Sequence, residues 1–297
     1  MSLVIVGSLG LDNISTPAGE VQNALGGSAI YGALAASLFT NTYIVGVVGN
    51  DFPIEGMNLL QQKGINLDGV EIKEGKTFRW SGKYTTWNRV ETISTELNVF
   101  ADFSPHLPES CKSCHSLLLA NIHPALQLQV LNQVSGYSHL ACDTMNFWIE
   151  LCPKEIEKVL NRVEIVFMNE DEIRDYTSKP DIYSAAREIL ALGPKWVIVK
   201  RGEYGSVAIS ANDLFFAPAY PVENVKDPTG AGDSFAGAFM GYLADHDLLN
   251  HSIIKEAILY GTVMAAKNVS NFSIQGLTDI AKYELDSYKE NLIKWTS

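Results

Sequence analysis

The sequence predicts an α/β fold of three layers, α/β/α, built on a mainly parallel central sheet, with a small β layer standing off it. Three observations predict this. Short apolar runs alternate with amphipathic or small-residue segments, the pattern of a parallel sheet covered by helices. The alternation breaks once, over residues 76–100, where Thr, Trp, Tyr and Val alternate as in antiparallel strands. A chain of 297 residues that is 46% hydrophobic and 19% charged also has the apolar mass to bury a large core.

The elements follow in order. LVIVGS (3–8) is a buried strand ending at a polar turn, and SAIYGALAASLF (28–39), small and apolar around most of its circumference, is a helix packed closely on a sheet. TYIVGVVGN (42–50) is a second buried strand, and EGMNLLQQKG (55–64) an amphipathic helix closed by Gly64. After residues 76–100, alternation resumes. Strands are expected at SLLLANI (116–122), HLACDT (139–144), EIVFMN (164–169) and WVIVKRG (196–202), with helices at PALQLQVLNQV (124–134), KEIEKVLNRV (154–163) and SAAREILALG (184–193). Two further β segments, GSVAIS and DLFFAPA, precede a small-residue helix from 227 to about Ala244, a helix over 253–270 and a closing helical stretch, YELDSYKENLIKW. The division this implies puts residues 1–10, 26–75 and 101–297 in a large α/β unit and 11–25 with 76–100 in the β layer. No internal repeat or low-complexity tract interrupts it.

Composition narrows the function. The formal charge of −12 argues against nucleic acid as a partner, because phosphate-backbone binding depends on clustered Lys and Arg. No apolar run reaches the ~18–20 residues that span a bilayer. The first residues, MSLVIVGSLGLD, lack the basic region and cleavage site of a secretory signal, so a cytoplasmic location is expected. CKSCH (111–115) matches a haem-attachment string, but that chemistry belongs to exported proteins, and ordinary reduced cysteines are expected here.

The stretch DPTGAGDSF (227–235) carries the chemistry. Pro228 keeps Asp227 out of helical conformation, and Thr229 is expected to cap a helix beginning Gly230-Ala231-Gly232. The first turn of a helix presents unpaired N–H groups and the positive end of the macrodipole. Small residues let an anion reach those groups, so the run reads as an anion cradle. Asp233 in the same turn is a poor ligand for an anion. It is well placed to take the proton of a hydroxyl attacking one, which is the logic of phosphoryl transfer. A capped helix start with no further role is the plain alternative.

DPTGAGDSFAGAF resembles the C-terminal signature of the ribokinase-like (PfkB) carbohydrate kinases, and the resemblance runs along nearly the whole chain. GSLGLD (7–12) is similar to the family's first strand and its substrate-contacting acid. LGGSAIYGALAASL (25–38) resembles the di-glycine signature, and 48–70 its G-x-D-x-x-G passage. Asn169-Glu170-Asp171-Glu172 fits N-x-x-E, and Lys200–Gly205 the strand-turn x-x-G-x-x-G. The resemblance implies a ribokinase-like fold, with the β layer closing as a lid, and an ATP- and Mg²⁺-dependent kinase phosphorylating a hydroxymethyl group of a sugar or sugar derivative. Asp233 would be the base and the Gly230, Ala231 and Gly232 backbone the anion hole. Glu172 would act on Mg²⁺ through water. Asn169, Lys200, Gly202, Gly205, Gly232 and Thr262 would meet the nucleotide, and Asp227 and Thr229 would be placed for a monovalent cation such as K⁺. The acceptor would meet Asp12, Gly26, Gly27, Tyr31, Asn121 and His123. The lid aromatics Trp80, Tyr84 and Trp87, with Arg89, read as packing or homodimer contacts rather than ligand contacts.

Two departures bear on the acceptor. Tyr31 stands where sugar kinases of this family often carry Asn, and Trp148 ends a D-x-N-x-R motif in place of Arg. Both exchange hydrogen-bonding reach for an aromatic face, which makes a nucleoside the alternative acceptor. Competing classes fare worse. GSLG is not G-x-G-x-x-G, with Asp12 following at once, so a dinucleotide-binding dehydrogenase does not fit, and no Walker motif occurs. A non-catalytic sensor on the same fold would be marked by loss of Asp233, which is present.

Overall fold

The computed structural model describes residues 1–112 and 114–296. Its large sheet has nine strands in the order β13-β12-β11-β10-β9-β8-β1-β4-β5. These are β1 (Ser2–Val6), β4 (Asn41–Gly49), β5 (Ile65–Lys73), β8 (Ser116–Leu119), β9 (His139–Asp143), β10 (Ile165–Asn169), β11 (Trp196–Lys200), β12 (Ser206–Ile209) and β13 (Leu214–Ala217). Only β12 and β13 run antiparallel to their neighbours. The chain builds outward from β1 through β4 to β5, then returns to the other side of β1 with β8 and continues to β13. Strand order therefore reverses between β1 and β8, and the carboxyl ends of those strands open the crevice where sheets of this kind take ligands.

Two apolar clusters flank the sheet. One holds Leu3, Ile5, Phe167 and Ile198 against the helices Ser28–Ala36, Ala231–Leu243 and His251–Val269. The other holds Val4, Val6, Val166 and Val199 against the helices Pro124–Leu131, Pro153–Leu160, Glu170–Thr177 and Ile182–Leu190. Alternate strand residues face opposite clusters, so the three layers follow from the pleat. Cys111 is buried within the second cluster, and burial pushes its thiol up to about 12. Among the described residues, no helix is long and apolar enough to cross a membrane.

The small sheet has the order β3-β2-β6-β7, from β2 (Gly10–Thr16), β3 (Gly19–Gly26), β6 (Phe78–Thr86) and β7 (Arg89–Glu96). The expectation of antiparallel strands over 76–100 holds for β6 and β7, β2 and β3 form a second antiparallel hairpin, and between the hairpins β2 and β6 pair in parallel. The reason is topological. β2 continues from β1 and β6 follows β5, and those parent strands are themselves parallel, so both leave the large sheet in one direction. Every residue of β7 is exposed.

β5 is a strand the sequence pattern does not announce. INLDGVEIK buries only Ile65 and Gly69, and it holds an edge of the sheet through parallel pairing to β4. The small-residue helix turns Gly237 and Gly241 toward the helix Ser28–Ala36. A side chain on Gly237 would fall 2.1 Å from the carbonyl oxygen of Gly32. Phe235 and Phe239 fill the sheet side, with the Phe239 ring edge-on to Phe167 at 5.2 Å.

Candidate active site

The carboxyl ends of β1 and β8 are joined by a serine network. The Ser8 and Ser28 amides each donate to the other's hydroxyl, at 3.2 and 3.0 Å, and Ser28 Oγ donates to the Asn121 carbonyl at 3.3 Å. Asp12, two strand positions into β2, is 3% exposed beside this network. Among the described residues no group donates to its carboxylate. Burial, reinforced by Asp227 and then Asp233, raises it to about 8. Gly26 makes room for that carboxylate: a side chain there would lie 1.9 Å from Asp12 Oδ2, and one on Gly27 would lie 2.5 Å from the Ser8 carbonyl oxygen. The di-glycine thus allows close approach of the chain to itself.

Tyr31, expected at the acceptor, is 1% exposed, and its ring lies beneath Gly230, 2.3 Å from where a side chain there would begin, so it floors the loop. His123 caps the helix Pro124–Leu131, its Nδ1 accepting from the Ala125 amide at 3.1 Å, and packs on Trp148 at 4.9 Å. Asn121 Oδ1 accepts from Trp148 Nε1 at 3.1 Å. Phe147 and Met145 are exposed beside them.

The loop ahead of helix Ala231–Leu243 is clasped by Asp227, which is 1% exposed. Its Oδ1 accepts from the Thr229 amide at 2.9 Å and its Oδ2 from the Ser273 amide at 2.8 Å. The Thr229 carbonyl accepts from Asn268 Nδ2 at 2.7 Å. As found, the residues expected at a cation hold the loop together, and a cation would have to share oxygens that already accept N–H bonds. Thr229 is not the helix cap. That position is Gly230, at φ +74° and over the Tyr31 ring, a place with neither the torsion nor the space for a side chain. The Thr229 hydroxyl instead donates to Tyr84 Oη of β6 at 3.2 Å.

The anion cradle is partly free. The Ala231 amide closes a turn onto the Pro228 carbonyl at 3.2 Å, which removes one expected donor. The Gly230 and Gly232 amides have no partner among the described residues. Asp233 follows them, half-buried, and no other residue among those described donates to its carboxylate. Burial, with Asp143 adding to it and Lys200 opposing, raises it to about 6.

Beside this stands a charge cluster that sequence reasoning assembled only in part. Lys200 Nζ donates to Asp143 Oδ2 at 2.6 Å, beside Gly232. Burial alone would push the ammonium down, yet Asp143 and Glu172 hold it above its ordinary value. Asn169 and Glu172 form a capping box on helix Glu170–Thr177: Asn169 Oδ1 accepts the Asp171 and Glu172 amides, and Glu172 Oε2 accepts the Asn169 amide at 2.7 Å. Burial raises Glu172 to about 7, Lys200 opposing. Three carboxylates surround one ammonium, an excess of negative charge that suits a bound cation. No all-protein metal cage occurs among the described residues.

Lys200, Gly202, Gly205, Ala231, Gly232 and Thr262 line one cavity of about 480 Å³. Its other walls, Phe235, Val222 and Val225, carry no polar signal in the sequence, and Trp87 and Asn88 reach it from the β6–β7 turn. A cavity of this size, mainly apolar and ending at free helix-terminal amides, can hold a nucleotide with its phosphates on those amides.

Known proteins share this fold. A structure from E. coli described as ribokinase II, in complex with ATP and Mg²⁺, superimposes with a TM-score of 0.79 at 21% identity over 98% of this chain and 99% of that one. A Burkholderia thailandensis nucleoside kinase in complex with inosine gives 0.81 at 16% identity over 98% of each. A cytidine kinase of Thermococcus kodakarensis is 31% identical over 249 residues, 82% of this chain and 88% of that protein. Fold and site together define a phosphotransferase with an alcohol group as acceptor, on a ribokinase-like α/β fold with a β lid. The model of the pfkB family carbohydrate kinases matches residues 4–280, and the chain belongs to that family.

Proposed function

We propose that the chain transfers the γ-phosphate of ATP to the hydroxymethyl group of a nucleoside, with a free sugar as the second reading. The observation that carries the reaction is the Asp233 carboxylate, raised to about 6 at the head of a helix whose Gly230 and Gly232 amides have no partner among the described residues. Asp233 takes the hydroxyl proton of the acceptor as its oxygen attacks the γ-phosphorus and the bond to the ADP oxygen breaks. The two amides hold the moving phosphoryl group. Asp12 binds acceptor hydroxyls with its unpaired carboxylate. Mg²⁺ would neutralise phosphate charge, and Glu172 is the residue that would hold it, through water.

The nucleoside reading is supported by the aromatic surface of Phe147, Trp148 and His123 beside Asn121, where a base can stack, and by the cytidine kinase relative. The sugar reading is supported by the ribokinase II likeness of the fold. An ADP-release screen over pentoses, hexoses, keto-deoxy sugar acids and nucleosides decides between them. Turnover confined to free sugars would overturn the nucleoside reading, and ATP consumption with no acceptor in the screen would overturn both.

A further inference from the structure

The lid hairpin does more than cover the acceptor. Its root pairs Asp12 of β2 with Trp80 of β6. Four residues on, Tyr84 accepts from Thr229 at the loop that leads into the anion cradle. The turn between β6 and β7 then reaches the far side of the cavity, about 23 Å from Trp80 at the usual strand rise. There Trp87 and Asn88 line the 480 Å³ cavity together with Lys200, Gly202 and Thr262. Asn88 Nδ2 donates to Glu203 Oε1 at 3.2 Å, fixing the turn to the segment after β11. Trp87 is half-buried while its neighbours from Thr85 to Val90 are exposed, and it stacks on no other aromatic ring among the described residues. A tryptophan set into a cavity wall with its ring unstacked is a platform for a flat ligand.

We propose that the β6–β7 turn is part of the donor site, with Trp87 packing on the bound nucleoside triphosphate and Asn88 holding the turn over it. The proposal rests on the nucleotide reading of the cavity given above. One hairpin then touches acceptor, anion cradle and donor, so closing it over one substrate helps to bind the other. This departs from the reading of Trp87 as a packing or dimer contact.

The test is calorimetric binding of ATP·Mg²⁺ to the full chain and to Trp87→Ala, Trp87→Phe and Ala265→Phe, each confirmed folded by circular dichroism. Ala265 lines the same cavity away from the lid, so a phenylalanine there blocks it. The expected result is a loss of about 10-fold or more in affinity for Trp87→Ala, since ring–base stacking is a substantial part of such binding. Trp87→Phe should recover to within about 3-fold, and Ala265→Phe should bind poorly. Normal affinity in Trp87→Ala with weak binding in Ala265→Phe would overturn the lid contact alone. Normal affinity in Ala265→Phe would mean that the cavity does not take the nucleotide, which overturns the proposal and the reading beneath it.

Discussion

At the scale of single residues, the site is a set of carboxylates held above their ordinary range by burial. Asp233 is the one whose value matters for turnover. A base must be deprotonated to accept a proton, so with Asp233 raised to about 6 the turnover of the unmodified enzyme should fall as pH drops through about 6 and level off above it. Asp233→Asn should keep ATP·Mg²⁺ binding within a few-fold and cut kcat by about 10²–10⁴, the usual worth of a general base. A steady-state pH profile and calorimetry on the variant check both parts. Near-normal turnover in Asp233→Asn removes the residue from the chemistry, because asparagine cannot take the proton. Asp12 is raised further, and no group among the described residues donates to it, which leaves its oxygens for acceptor hydroxyls.

At the scale of elements, the loop-to-helix junction at 227–235 shows what the sequence discloses and what it hides. The small-residue run and its acid were legible, because a free helix N-terminus followed by a carboxylate has a chemical meaning of its own. The details were not, because they depend on partners distant in sequence. The cap falls on Gly230 because Tyr31, some 200 positions earlier, lies beneath it. The Ala231 amide is lost to Pro228, and Gly237 faces Gly32. For the same reason Lys200 was legible as a residue near phosphate, while its partner Asp143 was not, since β9 and β11 must first be laid on either side of β10. β5 escaped notice because an edge strand with two buried positions has no apolar period to read. The junction also makes a prediction. Gly230→Ala places a methyl group 2.3 Å from the Tyr31 ring at φ +74°, so the loop must shift. The expected cost is about 1–3 kcal/mol of stability, typical of overpacking with backbone strain. Urea denaturation measures it, and kcat should fall more than that loss of folded protein explains. A variant as stable and active as the parent would show that the left-handed cap is not required.

At the scale of the whole molecule, the raised carboxylates set how stability depends on pH. Asp12 at about 8, Glu172 at about 7 and Asp233 at about 6 each keep a proton in the folded chain over a range where the unfolded chain, at 3.8 for Asp and 4.5 for Glu, has released it. The folded state therefore binds more protons than the unfolded state between roughly pH 4 and 8, and stability falls as pH rises through that window. The lowered acids, such as Glu164 and Asp51, act in the opposite direction, but their stabilisation is lost only as pH falls below the ordinary carboxylate range, outside this window. The ligand-free protein should accordingly resist urea better at pH 5.5 than at pH 8. Asp12→Asn, neutral throughout, should flatten the slope most between pH 7.5 and 8, where Asp12 still holds much of its proton while Glu172 and Asp233 have released most of theirs. Urea titrations of both proteins at half-unit steps measure the two slopes. A parent profile that is flat or rising from pH 5.5 to 8 would mean that Asp12, Glu172 and Asp233 are solvated or paired and already ionised in solution, and burial would not be holding their protons.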